Sequence, residues 1–153
     1  MMTQVRIHQS LMKTFALITL CIMAFGFTSR YGLDSFAIFL NDKLILKQTV
    51  NQPLDLRVLQ LDKVKDSDRF HFSYTHCQKK DGAGTDRSIS LVDKNGALIK
   101  KWTFANAKGS DSRMTIPAKE LISLKKMHAS KELSLRYVAD ELPEGEMLSM
   151  LRL

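Results

Sequence analysis

His71, His76 and Cys77 stand close together and carry the side chains best suited to chemistry in this chain. Imidazole and thiolate together are ligands for zinc or copper. Their spacing argues against a shared ion. Arg69 to Cys77 is the clearest alternation in the sequence and predicts a strand. Phe70, Phe72, Tyr74 and His76 fall on one face; His71, Ser73, Thr75 and Cys77 fall on the other. His71 and Cys77 are then about 20 Å apart along an extended strand, too far to share a metal. His76 and Cys77 are adjacent but point apart. The pattern predicts a partly buried imidazole and a small thiol, with no metal, cofactor or catalytic residue assigned.

Other groups admit a chemical and an ordinary reading. Asp62, Asp66 and Asp68 offer oxygens to calcium, but Lys63 and Lys65 intervene and the spacing is not that of a calcium loop. Glu141, Glu144 and Glu146 surround Pro143 and Gly145 and, like the aspartates, read as a solvated turn. Trp102, Tyr74, Phe70 and Phe72 would stack on sugars if exposed; at strand spacing they read as core. Gly82-Ala83-Gly84 reads as a flexible loop, because it is too short for a phosphate-binding loop and no helix pattern follows. There is no Gly-x-Ser-x-Gly and no His-Glu-x-x-His.

The elements that must position these groups begin after a distinct leader. Lys13 to Phe27 (KTFALITLCIMAFGF) has one positive charge followed by an uncharged apolar run. That length suits a signal peptide and is short for a membrane span. Ala24 and Gly26 supply the small residues for cleavage after Gly26; a cut near Ser29 is less favourable. Cys21 lacks the small residues expected before a lipidated cysteine. Met12-Lys13 reads as the start of translation. A leader over 1–29 and a single domain over 30–153 are expected, with the mature protein periplasmic or secreted and without a stable membrane span. Cys77 would then be the sole cysteine and could form no internal disulfide. A buried, inert thiol is the ordinary reading; an intermolecular bridge or a reactive thiol helped by Lys79 and Lys80 is the alternative.

The chain has 153 residues, 44% hydrophobic and 25% charged, with a formal net charge of +7. Removing Arg6 and Lys13 with the leader leaves about +5. The basic residues are scattered, without an arginine-rich arm or interleaved aromatics, so no nucleic-acid partner is expected.

Short β-rich runs recur through the rest of the chain between turn signals. Ser35–Leu40 and Lys43–Val50 flank Asn41-Asp42 and predict a hairpin, with Leu44, Leu46 and Val50 on one face. Leu54 to Leu61 predicts a third strand, with a change of phase near Val58-Leu59 of the kind a bulge makes. Lys94-Asn95-Gly96 joins Ser88–Asp93 to Ala97–Phe104, with Leu98, Trp102 and Phe104 on one face. Arg113–Ile116 is a short strand. Pro117 to Met127 is the one helical candidate, opened by Pro117 and striped by Ala118, Leu121, Ile122 and Lys125. Glu132–Ala139 places Leu133, Leu135 and Tyr137 inward, and Asp140–Glu146 turns the chain into Met147–Leu153. The predicted fold is all-β: an antiparallel β-sandwich of eight or nine short strands with one short helix.

Four segments carry a resemblance: MKTFALITLCIMAFG, SFAIFLNDKLILKQ, RSISLVDKNGALIKKWTF and MTIPAKEL. Together they resemble short exported β-sandwich proteins of unassigned function from Bacteroidota. The resemblance implies a bacterial cell envelope and transfers no functional residues. A non-enzymatic binding or structural module is expected, its partner another envelope protein or a surface glycan. The alternative is a hydrolase or a thiol- or metal-dependent redox protein using scattered residues. A concave pocket gathering His, Cys, Asp or Glu side chains would favour that alternative.

Overall fold

A computed structural model describes residues 33–50, 52–79, 82–106 and 113–153. Met12, Cys21, both cleavage positions and Lys80 lie outside the described residues. The strands are β1 (Ser35–Leu40), β2 (Lys43–Thr49), β3 (Val58–Gln60), β4 (Arg69–Thr75), β5 (Ser88–Asp93), β6 (Leu98–Thr103), β7 (Met114–Pro117), β8 (Leu133–Ala139) and β9 (Leu142–Arg152). The helix α1 spans Ala118–Met127. Sheet order is β2-β1-β4-β7 in one sheet and β3-β9-β8-β5-β6 in the other. All pairings are antiparallel except β3 with β9, which is parallel. The all-β fold read from the sequence is the fold observed.

The core forms where the alternation predicts it. Phe36 and Ile38 of β1 and Phe70, Phe72 and Tyr74 of β4 meet Ile89 and Leu91 of β5 and Leu133, Leu135 and Tyr137 of β8, all buried. The aromatic platform considered for sugar stacking is therefore interior, with Trp102 half-buried. Helix α1 closes one side. Its buried stripe is Ala118, Leu121, Ile122 and Lys125, as the 3.6-residue period requires. Glu120 of α1 accepts a hydrogen bond from Trp102 Nε1 of edge strand β6 at 3.0 Å. Pro117 ends β7 in an extended conformation and caps the helix, one position earlier than expected.

Arg57 fastens the other side. Its buried guanidinium donates to the carbonyls of Val50 (2.8 Å), Gln52 (2.5 Å) and Met147 (2.5 Å) and to Glu146 Oε1 (2.5 Å). These bonds tie the chain after β2 to β9 in the opposite sheet, and the Arg57 guanidinium lies 5.3 Å from the Phe36 ring centroid.

Four expectations need correction. Leu54–Leu56 is a turn of 3-10 helix rather than strand, and the phase change near Val58-Leu59 is the exit from it. In β2, Ile45 is an extra residue: Leu46 pairs with Ile38, but Leu44 pairs with Phe39. This bulge turns Leu44 away from the core, so Leu44 and Leu46 do not share a face. The same irregularity recurs in β6, where Ile99 is extra and Leu98 is turned out to solvent. Trp102 and Phe104 pack against the core without it. Finally, the turn before β9 is only Asp140-Glu141, and Pro143 to Glu146 belong to the strand. Gly145 makes this possible, since a Cβ there would stand 2.7 Å from the Tyr137 carbonyl oxygen, at a φ of +71°.

Candidate functional site

The end of β4 gathers the most polar chemistry in the interior. The strand's alternation carries His76 inward beside Tyr74, and the inward period of β8 brings Tyr137 to meet them. Asp34, just before β1, supplies the carboxylate. His76 Nδ1 lies 3.1 Å from Asp34 Oδ2, and Nε2 lies 3.1 Å from the Tyr137 hydroxyl. An ionised carboxylate only accepts, so Nδ1 of a neutral imidazole carries the proton and Nε2 accepts from Tyr137. Asp34 also accepts from the Tyr74 hydroxyl at 3.3 Å and from the Cys77 backbone N–H at 2.9 Å. The Tyr74 and Tyr137 rings stack at 4.2 Å and 15°. Burial, with Asp34 nearby, holds the Tyr74 phenol well above its usual pKa; burial does the same for Tyr137.

Both imidazole nitrogens are thus occupied, and Gly84 seals the cluster. A Cβ on Gly84 would collide with the Tyr137 hydroxyl and come 2.9 Å from His76 Nε2. Gly82-Ala83-Gly84 is therefore a fitted segment rather than a free loop: Ala83 and Gly84 are buried and the Gly82 carbonyl accepts from His76 N at 2.8 Å. Chemically, the arrangement is a closed hydrogen-bond relay that joins His76 to Asp34 and Tyr74 on one sheet and to Tyr137 on the other.

The three residues read as metal-capable separate as expected. His71 faces outward and shares a hydrogen bond of 2.8 Å with Thr115 Oγ1. Cys77 is exposed, correcting the buried reading, and its thiol donates to the Leu33 carbonyl at 2.7 Å. Among the described residues, no group of three His, Cys, Asp or Glu side chains could hold a metal.

The acidic turns are more engaged than expected. Asp62 and Asp66 are exposed, but Asp68 accepts from Asn41 Nδ2 (3.1 Å) and the Lys65 N–H (2.8 Å), which lower its pKa. Asn41, at φ 53°, accepts in return from the Arg69 N–H at 3.0 Å, locking the β1–β2 turn onto β4. Glu141 pairs with Lys79 and accepts from the Thr85 N–H at 2.8 Å and the Thr85 hydroxyl at 2.9 Å. Burial raises the Glu141 carboxyl, but Lys79 and Thr85 outweigh it and bring its pKa down to about 2. Of the three glutamates, Glu144 is the exposed one, on β9; Glu146 holds Arg57.

No family model, curated protein or solved structure matches the chain. Among the described residues, no helix is long and apolar enough to cross a membrane.

The surface offers two further features. β2 is an edge strand, and among the described residues no strand pairs with its outer side. It exposes Leu44 (47%), Ile45 (40%), Lys43 and Lys47. A shallow groove lies beside it, lined by Ser35, Lys47, Gln48, Thr49 and Gln52, and the buried Gln48 Oε1 has no hydrogen-bond partner. At the end of the other sheet, two grooves flank the loop Ser130–Glu132. One includes two carboxylates, Asp93 and Glu132. Asp93 is committed to its turn, accepting from Asn95 N and Ala97 N at 3.0 Å each and from Lys131 Nζ at 3.4 Å.

Asp34 escaped sequence reading because nothing in its neighbourhood marks it. Gly84 escaped because its role depends on residues far away in the chain. His76 and Tyr137 carried a signal: both are inward-facing polar side chains on predicted strands, and such groups need partners.

Proposed function

We propose that the chain is an exported, non-enzymatic binding module of a bacterial cell envelope, and that it takes an extended segment of another envelope protein as an added strand beside β2. The observation that carries this reading is the open edge of β2. An unpaired edge is a template for another strand. Here it comes with exposed Leu44 and Ile45. Lys43 and Lys47 favour a segment with acidic residues among apolar ones. They oppose a second copy in the antiparallel registers centred on Ile45 or Lys47, which set lysine against lysine. The internal commitment of His76, Asp34 and Asp93 supports binding over catalysis.

A photocrosslinker at position 45 of the mature domain, exposed to envelope extract, tests this. The expected result is one captured protein, lost when Leu44→Lys and Ile45→Lys are combined, with hydrogen-exchange protection appearing on β2 in the complex. Capture that survives the double substitution overturns the β2 assignment. Saturable binding of a surface glycan, with β2 unprotected, would move the partner class to carbohydrate.

A further inference from the structure

We propose that the groove between the end of α1, the loop 129–132 and the end of β9 binds a small oxyanion of the phosphate or carboxylate class. This site is separate from β2 and does not rest on the reading above. The groove holds about 360 Å³ and is lined by Lys125, Ser130, Lys131, Glu132 and Arg152 over an apolar floor that includes Leu133 and Leu151. Its central feature is Lys125. The side chain is only 8% exposed, the position expected of an apolar residue in the helix stripe. Its ammonium donates to one neutral acceptor, the Lys131 carbonyl at 2.8 Å, leaving two N–H groups for another partner.

A buried ammonium ordinarily has a carboxylate beside it. Among the described residues none lies within ion-pair distance of Lys125. The partial negative charge at the end of α1 eases its burial but does not neutralise it. Arg152, on the same groove, is also without an ion pair among the described residues. Lys131 leans on Asp93 at 3.4 Å. The lining carries Lys125, Lys131 and Arg152, with Lys131 paired to Asp93, beside Glu132 and the main-chain carboxylate of Leu153; the buried Lys125 is the cation that none of these neutralises. Ser130 adds a hydroxyl that can donate. A buried cation, an adjacent fork of guanidinium donors and a hydroxyl at one concavity are the elements of an oxyanion site.

The test is titration of the isotopically labelled domain with inorganic phosphate and with acetate at low ionic strength, followed by NMR. Saturable shifts centred on residues 129–133 and 150–153 are expected, with a Kd of about 1 mM or tighter. Lys125→Met keeps the stem and removes the charge; it should weaken binding at least about tenfold. Arg152→Ala should weaken it about threefold, while Lys101→Met, on exposed β6, should leave it unchanged. Preference for phosphate or for acetate assigns the class. Absence of saturable shifts, or wild-type affinity in Lys125→Met, overturns the proposal. If Lys125→Met fails to fold, wild-type affinity in Arg152→Ala overturns it instead.

Discussion

Replacing Gly84 by alanine tests whether the His76 cluster is as tightly closed as its geometry implies. The new Cβ would meet the Tyr137 hydroxyl, His76 Nε2 at 2.9 Å and Ala139 Cβ at 3.0 Å. None of these can retreat easily. Tyr137 is stacked on Tyr74, His76 is held by Asp34, and Ala139 is backbone-fixed at the end of β8. Overpacking of this kind costs about 1–3 kcal/mol. Prising the hydroxyl from His76 leaves a buried imidazole nitrogen unsatisfied, adding about 1–3 kcal/mol. The expected loss is about 2–6 kcal/mol, or a fall in Tm of roughly 8–24 °C for a domain of this size. Thermal unfolding followed by circular dichroism measures it. Tyr137→Phe removes the group the new methyl strikes, so the double variant should lose at least about 1 kcal/mol less than the sum of the single variants. A Tm within about 3 °C of wild type for Gly84→Ala, or strict additivity in the cycle, would refute the closed-cluster reasoning.

Three other outcomes follow from the same structure. Arg57→Met strands three carbonyls and Glu146, and should cost about 3 kcal/mol in urea unfolding; Arg57→Lys should recover only part, because an ammonium cannot span four acceptors. Glu141 titrates near 2 in the fold against 4.5 ordinarily, so its contribution is complete above about pH 4.5 and disappears as the pH falls toward 2. Glu141→Gln should flatten stability over that window by under about 1 kcal/mol, since the Lys79 pair is partly solvated. Tyr74 and Tyr137 are held neutral above the usual value of 10, so stability should fall as the pH rises beyond 10. Ultraviolet titration should show both phenols ionising together with loss of the fold rather than before it.

The strand plan was legible because burial on a two-residue period leaves a direct mark on residue type. Phe70, Phe72, Tyr74 and His76 are inward as read, and so are Leu133, Leu135 and Tyr137. The turns at Asn41 and Gly96 were legible because both positions take a positive φ, and few residues do so cheaply. What failed shares a cause. Leu44 and Leu98 were assigned inward by counting in twos, and a single inserted residue before each pairing partner reverses the count. Asn41 and Asp68 were each placed in turns, but their mutual bond spans two turns and depends on strand order. The same is true of Arg57 with Glu146. Alternation reports which face a side chain takes, and carries no information about which distant residue it finds there.

The bulges also decide where the surface is available. Both turn an apolar side chain outward on an edge strand, and the consequences differ because the edges differ. On β6, Glu120 of α1 accepts from the Trp102 indole and pairs with Lys100, engaging two side chains of that edge, while Leu98 stays exposed. On β2 no helix or strand among the described residues covers the outer side. Leu44 and Ile45 there stand beside unpaired backbone groups, with Lys43 and Lys47 flanking them. Lysine on an edge strand commonly guards against indiscriminate pairing. Two lysines bracketing two exposed aliphatic residues do something narrower: they penalise pairing wherever the register sets lysine against lysine, including two registers of a second copy, while leaving an acidic-apolar strand unopposed. Specificity of this kind needs both the attraction and the repulsion, and β2 carries both within five residues, Lys43 to Lys47.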